Sequence, residues 1–289
     1  MASTIVLRRR IKSIRNTRQI TQAQQLVAAS KLRREQEYAQ RSRAYAELAE
    51  ELLTRLSGIA EVGREPLFEK RPVKNRLYIL ITSNTGLAGA YNANVLKLLT
   101  AAVKEDQQVK VSSHVLAIGN KGARFVRRIS EIELDAAYPG FGDEPTANDL
   151  RPVLNTIVEQ YKDGTVDDVR VLSTEFRSTV SQVAVTQQLL PAEPVSADQA
   201  TSSTISNFEP DVETVIDQVA TRLIEAQVWQ ALLESIASEH AMRMMAMKSA
   251  TDNAKDLIDD YTLELNTARQ AHITQELAEI TGGAEALNG

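Results

Sequence analysis

The placement of glycine and proline constrains this chain more than any other feature of its sequence. Of 289 residues, 12 are Gly and 8 are Pro, yet neither occurs from Met1 to Ser57 or from Asp211 to Thr281. Average usage puts roughly fifteen such breakers in those two stretches. Every proline lies between Pro66 and Pro210. The distribution predicts two long uninterrupted helices around a mixed middle. It disfavours an all-β fold and a single compact globule, both of which need turns spread along the chain.

Both ends carry a helical stripe. Residues 1–57 are dominated by good helix formers, with apolar residues three or four apart at Leu7, Ile11 and Ile14 and again at Tyr45, Leu48, Leu52 and Leu56. Between these sets the stripe thins to Ala23, Val27 and Ala28. A helix with so thin a stripe needs a partner to bury it. The other end supplies one. Pro210 fits a first helical position, with Asp211 and Glu213 in the first turn, where negative charge suits the helix dipole. Val212, Ile216, Val219 and Leu223 follow, then Ala254, Ile258, Tyr261, Leu265 and Ala268, then Ile273, Leu277 and Ile280; Gly282-Gly283 reads as a stop. Pairing the ends as an antiparallel coiled coil satisfies both stripes. The expected packing residues are Ile11, Ile14 and Val27 on the first helix and Met242, Met245, Ile258 and Leu265 on the second. At 1.5 Å per residue the helices are roughly 85 Å and 105 Å long. Aligning Ser57 with Asp211 sets Met1 opposite about residue 268, so the last dozen or so residues project alone. That tip still carries Ile273, Leu277 and Ile280, and an exposed apolar helix implies a partner around it.

The middle alternates strand and helix. Residues 76–82 predict a buried strand, Ser83–Asn92 a turn opening a helix to about Lys104, and His114–Ile118 a second strand followed by helix at Lys121–Arg128. Ile132–Ala136 predicts a third strand, Thr146–Tyr161 a helix with Thr146 as its cap, and Val169–Phe176 and Val180–Leu190 two more strands. This order predicts a Rossmann-like open α/β sheet with parallel strands. The fold class is therefore α/β plus long α-helices, divided into an N-terminal helix over 1–60, an α/β domain over 72–192, a linker over 191–209 and a C-terminal helix over 210–286.

Composition excludes much chemistry. With no cysteine, disulfides, thiolate zinc sites and Cys nucleophiles are ruled out. His114, His240 and His272 lie too far apart in sequence to suggest a ligand cluster, and no His/acid pair has suggestive spacing. Gly86 and Gly89 sit where a Rossmann loop places glycines, but the third is missing, and no P-loop or G-x-S-x-G elbow occurs. The expectation is no catalytic residue, no cofactor and no metal. The longest apolar run, Leu77–Ile81, is too short to span a membrane. Net charge is −5, yet residues 1–34 hold nine Arg/Lys and no acid, leaving −14 on the rest. A transit peptide, a nucleic-acid arm and a structural helix facing an acidic partner all fit that charge.

Three segments together resemble one family. They are Arg10–Arg34 (RIKSIRNTRQIT, then VAASKLRR), Ile81–Asn92 (ITSNTGLAGAYN), and Ser238–Ala254 (SEHAMRMMAMKSATDNA) continuing through Asn266–Leu287 (NTARQAHITQELAEITGGAEAL). In order and along the whole chain, they resemble the gamma subunits of F-type ATP synthases. The chain departs from that pattern at Gln24 and Leu26, where the family has Met, at Asn84-Thr85, which replace Asp-Arg or Asp-Lys, at Ala88, which replaces Cys, and at Ser249, which replaces Asn. Without cysteine it has no counterpart of the thiol switch of chloroplast members.

The resemblance implies a non-catalytic rotor shaft. Its coiled coil stands inside a ring of alpha and beta subunits, and its foot rests on the membrane ring of c subunits beside the epsilon subunit. It implies a peripheral membrane protein at the cytoplasmic face of the bacterial plasma membrane, coupling transport of hydrogen or sodium ions to ATP synthesis, with no nucleic-acid partner and no membrane insertion. Residue by residue, it places Arg8, Arg9 and Arg10 toward acidic beta-subunit loops, Arg269, Gln270, Thr274 and Glu276 as a polar catch on one beta subunit, and Phe208 and Glu209 at the rotor-ring foot. Met242, Met244, Met245 and Met247 fit core filling against the first helix, as adaptable Met side chains allow, ahead of a sliding contact with the ring. Two readings of other classes stay open: a coiled-coil adaptor, and a Rossmann-like small-molecule enzyme with helical arms.

Overall fold

The computed structural model describes residues 4–56, 66–141, 145–192 and 212–288. Most of the expected linker, the foot residues Phe208 and Glu209, and the helix start at Pro210 and Asp211 lie outside the described residues. Helix α1 spans Thr4–Leu56 and α5 spans Val212–Asn288. Between them come β1 (Asn75–Ile81), α2 (Tyr91–Gln108), β2 (Ser112–Ile118), α3 (Asn120–Val126), β3 (Glu133–Tyr138), α4 (Ala147–Lys162), β4 (Asp168–Ser178) and β5 (Ser181–Leu190). The expected stop at Gly282-Gly283 does not hold, because α5 continues to Asn288. A glycine ends a helix by turning left-handed, and neither of these has a positive φ.

The chain forms two compact units, Ala29–Arg243 and Met1–Ala28 with Met244–Gly289. The larger unit is built on a five-stranded sheet in the order β3-β2-β1-β4-β5. Alternation along β1 sends Leu77, Ile79 and Ile81 to one face and Tyr78 and Leu80 to the other. The first face packs on Leu150, Val153, Ile157 and Tyr161 of α4 and on Leu223, Ile224, Val228 and Leu232 of α5. The second face packs on Val95, Leu99 and Val103 of α2 and Val126 of α3. At the far end of α2, buried Asp106 accepts bonds from Tyr78 Oη at 2.7 Å and Ser113 Oγ at 3.0 Å and pairs with Arg76, which ties the helix to the sheet. Thr146 caps α4, its backbone N–H donating to Asp149 at 2.8 Å.

Strands β1 to β4 are parallel neighbours, as expected, but β5 runs antiparallel to β4. The reason is the connection: Ser178 faces Ser181 across a two-residue turn, and a turn that short joins only antiparallel strands.

Candidate functional site: the helix seam and the free end of α5

In the smaller unit the two helix ends run antiparallel. Thr21 Oγ1 lies 2.8 Å from Thr251 Oγ1, and eleven residues earlier Arg10 covers the ring of Tyr261 at 5.8 Å, ten residues later. Seven-residue steps from the threonine pair set Ile14 level with Ile258 and Leu7 level with Leu265. The covered positions follow those steps. On α1 they include Leu7, Ile11, Ile14, Arg18, Thr21, Gln25 and Ala28; on α5 they include Met244, Met247, Thr251, Ala254, Ile258, Tyr261, Leu265 and Ala268. Both sets keep the alternating spacing of three and four that makes a left-handed coiled-coil seam.

Two expected packing residues leave this seam. Val27 is 56% exposed and Met245 is 40% exposed. Each is one position, or about 100° of helix, away from the residue that packs, Ala28 and Met244. Ile11 and Ile258 are buried, Ile14, Met242 and Leu265 are half-buried, and Met247 is the most buried of the methionines on α5.

Cover on α5 stops at Ala268, which the same register sets level with Thr4, the first residue of α1. From Arg269 to Ala284 every side chain is exposed. The free end is longer than the expected dozen residues because the helix passes Gly282-Gly283. It carries all four candidate catch residues. At 3.6 residues per turn, Arg269, Gln270, Ile273, Thr274, Glu276, Leu277 and Ile280 fall within about 160° of helix circumference. Ile273, Leu277 and Ile280 form the middle of that face, at 48%, 58% and 67% exposure. Arg269 and Glu276 rim one side, and Gln270 and Thr274 the other. Thr274 Oγ1 donates to Gln270 O at 3.0 Å, and Glu276 meets His272 Nδ1 at 3.2 Å. An apolar centre with a polar rim is the anatomy of a protein-docking surface. At the opposite helix, Arg8, Arg9 and Arg10 are exposed.

The larger unit has a cleft of about 340 Å³ at the carboxyl ends of β1, β2 and β3, where open α/β sheets bind ligands. Its lining is tied together by the chain's own polar groups. Arg243 of α5 donates to Thr85 Oγ1 at 3.1 Å and Gly86 O at 3.4 Å, and pairs with Glu239 at 2.7 Å. Burial pushes the Glu239 carboxyl up from its ordinary range, and the Arg243 charge pulls it partly back. Asn84 Oδ1 accepts from the N–H groups of Asn120 at 3.2 Å and Gly140 at 3.0 Å, which joins the ends of three strands. Gly119 has φ +98°, and a Cβ there would sit 2.0 Å from Thr82 O, so only glycine lets β2 leave the sheet at this point. In the loop after β1 both Leu87, at φ 63°, and Gly89, at φ 56°, take left-handed positions. The sequence reading did not single out Arg243. Its signal was its place inside Ser238–Ala254, the most specific of the matching segments.

Comparison with known proteins agrees along the whole chain. A family model described as ATP synthase matches residues 3–287. The ATP synthase gamma chain of Acidithiobacillus ferrooxidans is 41% identical over 289 residues, covering 99% of this chain and 100% of that protein. That of Heliobacterium modesticaldum is 40% identical over 288 residues, covering 97% and 98%. Among solved structures, the central stalk and c-ring of Tetrahymena thermophila mitochondrial ATP synthase gives a TM-score of 0.63 at 23% identity, covering 80% of this chain and 99% of that one. A rotational state of the Euglena gracilis mitochondrial enzyme gives 0.66 at 19% identity, covering 99% and 94%.

Proposed function

This chain belongs to the ATP synthase gamma chain family, and we propose how its residues serve there as the central rotor stalk. The chain is a non-catalytic subunit: it turns within the alpha and beta ring and is driven by the ring of c subunits. A shaft acts on a catalytic site only by binding that site's conformations unequally, so an asymmetric surface is what it must present. The observation that carries this reading is the end of helix-on-helix cover at Ala268, beyond which α5 exposes an apolar ridge with polar rims.

On that ridge Arg269, Gln270, Thr274 and Glu276 act as a catch on one beta subunit. Arg269 offers a forked donor to a carboxylate of that partner. Arg8, Arg9 and Arg10 face acidic beta-subunit loops, and Arg10 is held in place by its stacking on Tyr261. Phe208 and Glu209 belong to the foot near the c-ring, beside the epsilon subunit. Residues 1–60 and 210–286 form the shaft, 72–192 the α/β domain and 191–209 its linker. Ile11, Ile14, Ile258 and Leu265 hold the seam. Among the described residues no helix is long and apolar enough to cross a membrane; the chain is a peripheral part of a membrane-associated complex, at the cytoplasmic face of a bacterial plasma membrane.

Mixing the chain with alpha and beta subunits tests the reading. A stable complex should form whose ATP turnover depends on this chain, and the absence of any complex would end the rotor assignment. Within that complex the double variant Arg269→Ala, Gln270→Ala should lower ATP-driven rotation and synthesis. Unchanged rates would remove the catch.

A further inference from the structure

His114 stands beside two carboxylates that come to it only through the sheet. It pairs directly with Glu133 across the parallel β2–β3 ladder. The ladder then slips, Val115 facing Leu134 and Leu116 facing Ala136, so that Asp135 is the extra residue of a bulge on the edge strand. Bulges at sheet edges re-aim a side chain. Here Asp135 Oδ1 lies 3.0 Å from His114 Nδ1, and Glu133 Oε2 lies 3.8 Å from the same nitrogen. One ligand atom from each residue falls within 4.8 Å of the other two. Gln160 of α4 donates to the second oxygen of Asp135 at 3.1 Å, which holds the first toward the histidine.

We propose that His114, Glu133 and Asp135 bind a divalent transition-metal ion, with zinc the best match. An imidazole nitrogen with carboxylate oxygens suits zinc, whereas calcium and magnesium take oxygen ligands. Tetrahedral zinc ligands, each about 2.0–2.1 Å from the metal, sit about 3.4 Å from one another. The distances of 3.0 and 3.8 Å from Nδ1 bracket that value, so small rotamer changes close the site. Three protein ligands leave the fourth position to water. The His114 and Asp135 side chains are 17% and 12% exposed, which shields the ion, while Glu133 at 74% lies on the open side by which it enters. Zinc displaces the Nδ1 proton of the His114–Asp135 hydrogen bond, and the neutral ring that ligates it carries its proton on Nε2. Gln160 orients the ligating carboxylate from outside, as supporting hydrogen bonds do in metal sites.

The test is calorimetric titration of zinc into the full-length chain after treatment with a chelator. One equivalent should bind. His114→Ala or Asp135→Asn should abolish that binding, and Glu133→Gln and Gln160→Ala should each weaken it about tenfold. His272→Ala, which removes the histidine paired with Glu276 on α5, should leave it unchanged. Circular dichroism checks the fold of each variant. If His114→Ala fails to fold, the exposed Glu133→Gln and the outer Gln160→Ala carry the test. A chain that binds no zinc, or binding that is equal in the chain and all its folded variants, overturns the site.

Discussion

The pair Thr21 and Thr251 shows how single residues set the helix seam. Each hydroxyl reaches its partner at 2.8 Å and also a carbonyl on its own helix, Arg18 O at 3.0 Å and Met247 O at 2.8 Å. Thr251→Val should cost about 1 kcal/mol, the net worth of one hydrogen bond. Thr21→Val with Thr251→Val should cost less than the two single changes added, because neither hydroxyl is then left without the other. Urea unfolding of the three variants measures the difference. Glu239 gives a pH signature. Burial raises its folded pKa above the ordinary value of 4.5, so the folded chain holds the proton more tightly than the unfolded one. Its contribution favours folding at low pH and is lost as pH rises from the ordinary value through the raised one. Glu239→Gln should flatten stability against pH in that window, measured by denaturant unfolding across it. Asp149 has the opposite sign, since its bonds to Thr146 lower its pKa.

At the scale of elements, the free end of α5 is helix without cover, every described side chain from Arg269 onward being exposed. Gly282 and Gly283 have nothing within 4 Å of where a Cβ would stand, so alanine fits both sites. Gly282→Ala with Gly283→Ala should strengthen that helix end by about 1 kcal/mol per site, read as slower amide exchange over the last turns. The helices and strands were legible from breaker placement and apolar spacing, within a few residues. The seam was legible only in part. Its middle is filled by Arg18, Thr21, Gln25 and Ala28, so apolar pattern gave no contrast there, and Val27 drew attention by its side chain although it lies off the phase. The direction of β5 was written in its short connection to β4, which outweighs the alternation of strand and helix before it. The His114 cluster was not legible, because Asp135 lies 21 residues on and reaches the histidine through strand pairing.

For the whole molecule, the sequence and the comparisons converge: the motifs that carried the resemblance lie at both ends and in the middle, and the family match covers residues 3–287. The candidate catch was legible only through that resemblance, since exposed Arg, Gln, Thr and Glu have no pattern of their own. Ending the chain after Ala268 separates folding from coupling. All described side chains from Arg269 onward are exposed, so the shortened chain should keep its melting temperature in a calorimetric scan. Its complex with alpha and beta subunits should lose torque-driven synthesis.

One consequence of the threonine pair is mechanical. A coiled coil under load can slide by one heptad, since every apolar layer then finds another. Here a slide in either direction brings Thr21 level with Ile258 or with Met244 and strands a hydroxyl against a hydrocarbon side chain, at a cost of about 1–3 kcal/mol. The polar layer is a detent: it lets the two strands of the shaft twist together while fixing their axial offset, and with it the length of α5 that stands clear.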